Sequence, residues 1–228
     1  MKLLAVDTSS LACSVALSVD GTVTERHAEE AKEHTRLLVP MMRELLHEAA
    51  LDSEDLDAIV LGNGPGSFIG MRIAASVAQG LAYGSATPIA PVSSLAAVAV
   101  EVFDATDAAE VVVAQDAHMN EVYLGAFRRD QHGLPVAVFD ERLHTQTPIE
   151  ELDEAGADQR VAAGFGWQRY PALLTANEDR IGNTSDVLYP RARFLLPLGH
   201  AVLKGGGAVA PQDIAPAYLR SKVAEKPA

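Results

Sequence analysis

The sequence predicts a two-lobed α/β fold made of a duplicated βββαβαβα unit, with residues 1–104 as the first lobe and 105–228 as the second. Three observations predict it. Short apolar or alternating runs are interleaved with stretches of helical periodicity, which is the pattern of an α/β chain. Each half opens on three strand-like runs separated by turn residues. The order of elements then restarts at Glu110, a repeat of elements rather than of residues.

The first strand is LLAVD, Leu3 to Asp7, ending in the polar turn Thr8-Ser9-Ser10. Cys13, Val15, Leu17 and Val19 then alternate with Ala12, Ser14, Ala16 and Ser18, the signature of a half-buried strand. Asp20-Gly21 reads as a two-residue hairpin into TVTERH, because a type I′ turn needs positive φ at both positions. A helix is expected over Glu30 to Ala50, a strand over Asp57 to Gly62, and a glycine turn in GNGPGSFIGMR, residues 62–72. A helix follows from about Phe68 to Tyr83, closed by Gly84, then a strand at Pro88 to Pro91 and a helix at Ser94 to Phe103. In the second half VVVAQ, EVYLGAFRRD and, past a turn at Gly133, PVAVFDERL give three more strands, followed by helical pieces and the strand RVAAG. PRARFLLPLGHAVLKGGG is a helix stopped by glycines, DIAPAYLRSK is a terminal extended segment, and the tail beyond Lys222 is expected to be mobile. A duplicated unit of this kind is the arrangement of the actin-like (ASKHA, ribonuclease H-like) ATPases and sugar kinases, which hold nucleotide between their halves.

Composition narrows the function. The 228 residues are 48% apolar, enough to fill a large core. No run approaches a membrane span, and Asp7 comes too early for a signal-peptide core, so a cytoplasmic protein with no membrane association is expected. One cysteine, Cys13, excludes an internal disulfide and reads as a buried thiol. The net charge of −13 opposes direct binding of nucleic acid, whose phosphates demand Lys and Arg.

The glycine turn fails two phosphate motifs. A Walker A loop needs Lys and Ser/Thr after its last glycine, and Gly70 is followed by Met71-Arg72; a dinucleotide fingerprint is spoiled by Ser67. What remains is a tight turn in which Ser67 caps the next helix. A weak anion or nucleotide site is the alternative, made from Asp7, Thr8, Ser9, Gly64, Gly66 and Ser67. The matching element of the second half, Asp116-Ala117-His118-Met119, has neither glycine nor hydroxyl to approach a phosphate. No two of the seven histidines lie three or four apart, so no helix presents a pair to one metal. No G-x-S-x-G elbow occurs, and no nucleophile–base pair supports a peptidase. The residues by themselves predict no catalytic residue and no metal site.

The segment GNGPGSFIGMRIA, with VDTSS and EHTRLLVPMM before it and DAHMNEVYLGAF and PAYLR after it, strongly resembles the TsaB (YeaZ) family, from Met1 to about Arg220. The family usually has Thr at Ile69 and Arg-Met-Gly in place of His118-Met119-Asn120. The resemblance implies a non-catalytic, actin-like dimerisation and activating subunit of the machinery that makes threonylcarbamoyladenosine (t6A) in tRNA. It implies pairing with a TsaD-like transferase, a TsaE-like ATPase joining, a carbamoyl-adenylate substrate supplied by a separate synthase, and tRNA held only indirectly. A homodimer is implied when the chain is alone. No cofactor is implied, nucleotide being possible only at the interface of the complex. The catalytic relative carries a two-histidine metal motif, and the similar region here keeps His118 and has Val122 at the second position. The runner-up reading is an active ATP-dependent phosphotransferase of the same fold.

Two helices offer surfaces. In the first, Leu37, Leu38, Met41, Met42 and Leu45 belong to an apolar band wide enough for a core and a partner, with Pro40 inside it. The second carries Gly70, Ala74 and Ala78 at four-residue spacing beside a ridge that includes Ile73 and Val77. The first pattern fits burial within the domain equally well, small-residue spacing like the second usually means packing inside the chain, and the resemblance is what implies a partner interface.

Overall fold

Strand β1 (Lys2–Asp7) sits at the centre of a five-stranded sheet because its apolar run is covered on both faces. β2 (Cys13–Val19) and β3 (Thr22–Ala28) add antiparallel on one side, while β4 (Ala58–Gly62) and β5 (Ile89–Val92) add parallel on the other. The parallel strand AIVLG is buried at every position, as strands covered on both faces must be. Asp20 and Gly21 take φ of 49° and 91°, the two positive values that the hairpin requires. The computed structural model describes residues 1–30 and 33–220; positions 31–32 of the expected first helix and the tail beyond Lys222 lie outside the described residues.

The alternation in β2 divides the first lobe into two layers. Cys13, Val15 and Leu17 face helices α1 (His34–Glu48) and α2 (Phe68–Ser85), whereas Ala16 faces the opposite side with Leu3, Ala5 and Val60. Helix α3 (Ser94–Ala105) is apolar on almost every side, so it has to be covered on every side. It lies between the first sheet and a second one, which has the order β8-β7-β6-β9-β10 and therefore the topology of the first. Its strands are β6 (Glu110–Asp116), β7 (Val122–Arg129), β8 (Pro135–His144), β9 (Arg160–Ala163) and the two-residue β10 (Asn183–Thr184). Short helices α4 (Phe165–Arg169) and α5 (Pro171–Thr175) cover its outer face through Trp167 and Leu173.

Three details differ from expectation. Helix α2 runs through Gly84 and ends at Ala86, which takes φ of 54°, and the Thr87 N–H then returns to the Ala82 carbonyl; nothing crowds Gly84 to make it a stop. Where the first lobe has α1, the second has an irregular segment that plugs the sheet with Ile149 and Leu152. Helix α6 (Ala192–Lys204), placed by sequence order with the second lobe, packs on the first sheet. Its Gly199 lies directly on Val60, where a Cβ would collide. The span from 105 onward thus supplies part of both lobes.

Candidate functional site

The turn Asp7–Ser10, the glycine turn and the N-termini of α2 and α3 converge at the carboxyl end of β1 and β4, the end at which parallel α/β sheets place their ligands. All six residues of the expected anion site are brought together there. Their polar groups, however, bind one another. Asp7 is 1% exposed; one carboxylate oxygen accepts from the Ser9 N–H at 2.8 Å and the Ser9 hydroxyl at 2.7 Å, and the other accepts from the Ser94 hydroxyl at 2.6 Å. Burial pushes the Asp7 carboxyl above its usual range, against these three donors. Gly62 leaves room for that carboxylate, into which a Cβ would project.

The glycines admit the chain's own carbonyls. A Cβ on Gly66 would strike the Ser9 carbonyl and one on Gly70 the Thr8 carbonyl. The Ser67 N–H donates to Ser9 O at 2.6 Å, the Thr8 hydroxyl donates to Gly70 O at 2.6 Å, and the Ser67 hydroxyl caps α2 by accepting from the Gly70 N–H. The Gly64 N–H donates to the Ser94 hydroxyl. These bonds engage the Gly64, Ser67 and Gly70 N–H groups and the Thr8 hydroxyl within the chain, so the arrangement locks a turn. The reading of Ser67 as a helix cap holds.

The second lobe repeats the device. Asp116 ends β6 as Asp7 ends β1, and it accepts from the His118 N–H and the Tyr170 hydroxyl, each at 2.8 Å. Gly164 and Gly166 press on Ala114 of β6 as Gly66 and Gly70 press on the first turn. Among the described residues no group of three or more His, Cys, Asp or Glu side chains is placed to hold a metal ion. Two serines at the start of α3 link the lobes: Ser94 holds Asp7, and Ser93 donates to Glu141 on β8, whose carboxyl burial raises. Sequence reading missed Ser94, Gly164 and Gly166. The Gly-x-Gly that begins at the last residue of RVAAG was a usable signal for the glycines, whereas Ser94 meets Asp7 across 87 positions and left none.

The expected interface residues divide by burial. Leu38, Met42 and Leu45 on α1, and Ala74 and Ala78 on α2, lie in the first lobe's core beneath the sheet, while Gly70 is pressed against Thr8. This corrects the open small-residue face: Gly70, Ala74 and Ala78 let α2 approach its own sheet and the first turn. Leu37, Met41, Ile73 and Val77 are half-buried at the margin of that core. The outward row of α2 is instead Ile69, Ser76, Gly80 and Tyr83, with Ile69 70% and Tyr83 62% exposed and nothing within 4 Å of where a Gly80 Cβ would stand.

Residues 22–158 match the family model described as TsaD, tRNA N6-adenosine threonylcarbamoyltransferase. The "tRNA threonylcarbamoyladenosine biosynthesis protein TsaB" of Escherichia coli (strain K12) is 35% identical over 226 residues, covering 99% of this chain and 97% of that protein. The protein of the same name from Haemophilus influenzae is 35% identical over 231 residues, covering 99% and 96%. The solved structure "YeaZ from Pseudomonas aeruginosa" superposes with a TM-score of 0.85 at 34% identity, covering 96% of this chain and 99% of that one.

Proposed function

This chain belongs to the TsaB family, and we propose that it works as the non-catalytic, activating subunit in the synthesis of threonylcarbamoyladenosine in tRNA. It pairs with a TsaD-type transferase, a TsaE-type ATPase joins the pair, and tRNA is held by those partners in the cytoplasm. The observation that carries this reading is the filled glycine turn: the Ser9 and Thr8 carbonyls lie where side chains on Gly66 and Gly70 would stand, whereas a kinase of actin-like fold needs room and donors for phosphate there. The net charge of −13 supports an indirect role toward RNA, and among the described residues no helix is long and apolar enough to cross a membrane.

The pairing surface is the outer side of α1 and α2. Ser76 and Gly80 form a low strip along which another helix can lie, with Ile69, Ile73 and Tyr83 beside it and Val39 exposed on α1. Leu37, Met41 and Val77 line its base. In the absence of the transferase the same surface serves a second copy of this chain in a two-fold dimer.

The test is reconstitution. The purified chain is mixed with a TsaD-type transferase, a TsaE-type ATPase, tRNA and a threonylcarbamoyl-adenylate made from labelled threonine, and label transferred to tRNA as AMP leaves is measured. Incorporation is expected to depend on this chain and to be absent with it alone. Micromolar magnesium–ATP binding by the isolated chain in titration calorimetry, with phosphoryl transfer to an acceptor, would replace this reading with the phosphotransferase one.

A further inference from the structure

The closing PAYLR motif sits on both lobes. Residues 209–214 are anchored on the first lobe: Ile214 is in its core, Val209 bridges to Ile89, and Gln79 donates to the Pro211 carbonyl at 2.9 Å. The chain then follows the glycine turn, with the Asn63 side chain donating to Ala215 O at 2.9 Å and the Ala217 N–H donating to Asn63 O at 3.0 Å. Tyr218 leans on Phe68 with ring centroids 5.3 Å apart and accepts from Arg72 Nε at 2.8 Å. Two residues later Arg220 has crossed to the second lobe. It donates to the Ala117 carbonyl at 3.0 Å, to the Glu121 carboxylate and to Met119 Sδ at 3.3 Å.

We propose that residues 215–220 are a releasable strap that sets how far the two lobes close on each other, with Arg220 as its latch on the β6–β7 hairpin. Two properties separate this segment from ordinary packing. Its hold is mostly polar: apart from the Tyr218–Phe68 ring contact, Ala215, Ala217, Tyr218 and Leu219 are exposed, so little apolar burial opposes its detachment, and elements held this way open at low free energy. Its landing site is strained: His118, Met119 and Asn120 are three successive non-glycine residues with φ of 59°, 53° and 61°, each in a region that L-residues avoid. That twist presents the Ala117 carbonyl and Glu121 to Arg220, and detachment lets it relax. Among the described residues the lobes otherwise meet mainly through the central layer of α3 and α6. A strap that spans from the glycine turn to the β6–β7 hairpin, across the N-terminal end of α3, restrains rocking about that layer.

The experiment uses the full chain with spin labels at Glu54→Cys in the first lobe and Asp158→Cys in the second, both exposed. Cys13 stays silent, being buried with its thiol pushed up to about 12. Arg220→Ala and a chain ended after Ile214 are expected to broaden or displace the single inter-lobe distance while melting within a few degrees of wild type. Amide exchange at Ala217 and Glu121 should quicken by about tenfold or more in Arg220→Ala, as loss of charge-assisted bonds implies. Distance distributions that superpose on wild type in Arg220→Ala overturn the proposal, whatever the truncated chain does. So does unfolding of Arg220→Ala, which would make the segment part of the core and not a releasable strap.

Discussion

The Ser94 hydroxyl at the start of α3 donates to the Asp7 carboxylate at the end of β1, 2.6 Å away and 87 positions distant in the chain. The same hydroxyl accepts from the Gly64 N–H. One side chain therefore joins the first strand, the glycine turn and the central helix. Ser94→Ala leaves a buried carboxylate oxygen and a buried amide without partners, which costs on the order of 2 kcal/mol or more. Urea melts should show a lowered midpoint with an unchanged slope; a midpoint equal to wild type would mean the bond is idle.

Gly70 and Gly80 stand on one helix and should respond oppositely to alanine. A Cβ at Gly70 meets the Thr8 carbonyl, so Gly70→Ala must push α2 off the first turn, at a cost of about 2 kcal/mol or more. Gly80 has open space, so Gly80→Ala gains about 0.5–1 kcal/mol of helix propensity. Thermal melts of the two variants that shift in the same direction would contradict this placement of α2.

Ala78→Arg and Gly80→Arg separate the core from the pairing surface. Ala78 is 0% exposed, and an arginine there buries an unpaired cation under the sheet, so the chain should fail to express in soluble form or melt far lower. Gly80→Arg should melt at or above the wild-type temperature and yet lose co-elution with a TsaD-type transferase on size exclusion. A folded Gly80→Arg variant that binds at wild-type affinity would move the surface elsewhere.

Glu101 on α3 faces the Arg191 guanidinium at 3.7 Å, with Glu25, Arg193 and Asp104 around it, and burial raises its carboxyl from 4.5 to about 7. A folded-state value above the unfolded one means that the folded chain binds this proton more tightly. The stability it contributes is complete below about 4.5 and is lost as pH rises through about 7. Glu101→Gln removes that loss. Relative to wild type the variant should gain on the order of 2 kcal/mol between pH 5 and pH 8, measured by paired urea melts. Parallel pH profiles for the two proteins would refute it.

Periodicity and turn chemistry in the sequence determined most of the element order. The alternation from Cys13 to Val19, the Asp20-Gly21 turn and the apolar run of β4 are local statements, each requiring only near neighbours, and the structure has them where they were read. The actin-like, two-lobed plan followed from the restart at Glu110, because repeated element order needs no knowledge of contacts. What faces what was decided only in three dimensions. The stripe Gly70, Ala74, Ala78 has the same spacing whether a helix approaches its own sheet or another molecule, and only the nearness of Thr8 O to Gly70 settled which. Likewise Asp7 reads as a ligand-ready carboxylate until Ser94 arrives from the far end of the fold to bind it. Arg220 is one more surface arginine in the sequence, and the chain's return across both lobes is what puts it on Ala117 and Glu121. Contacts between distant segments depend on how layers stack, and stacking is a property of the whole core, which no window of the sequence contains.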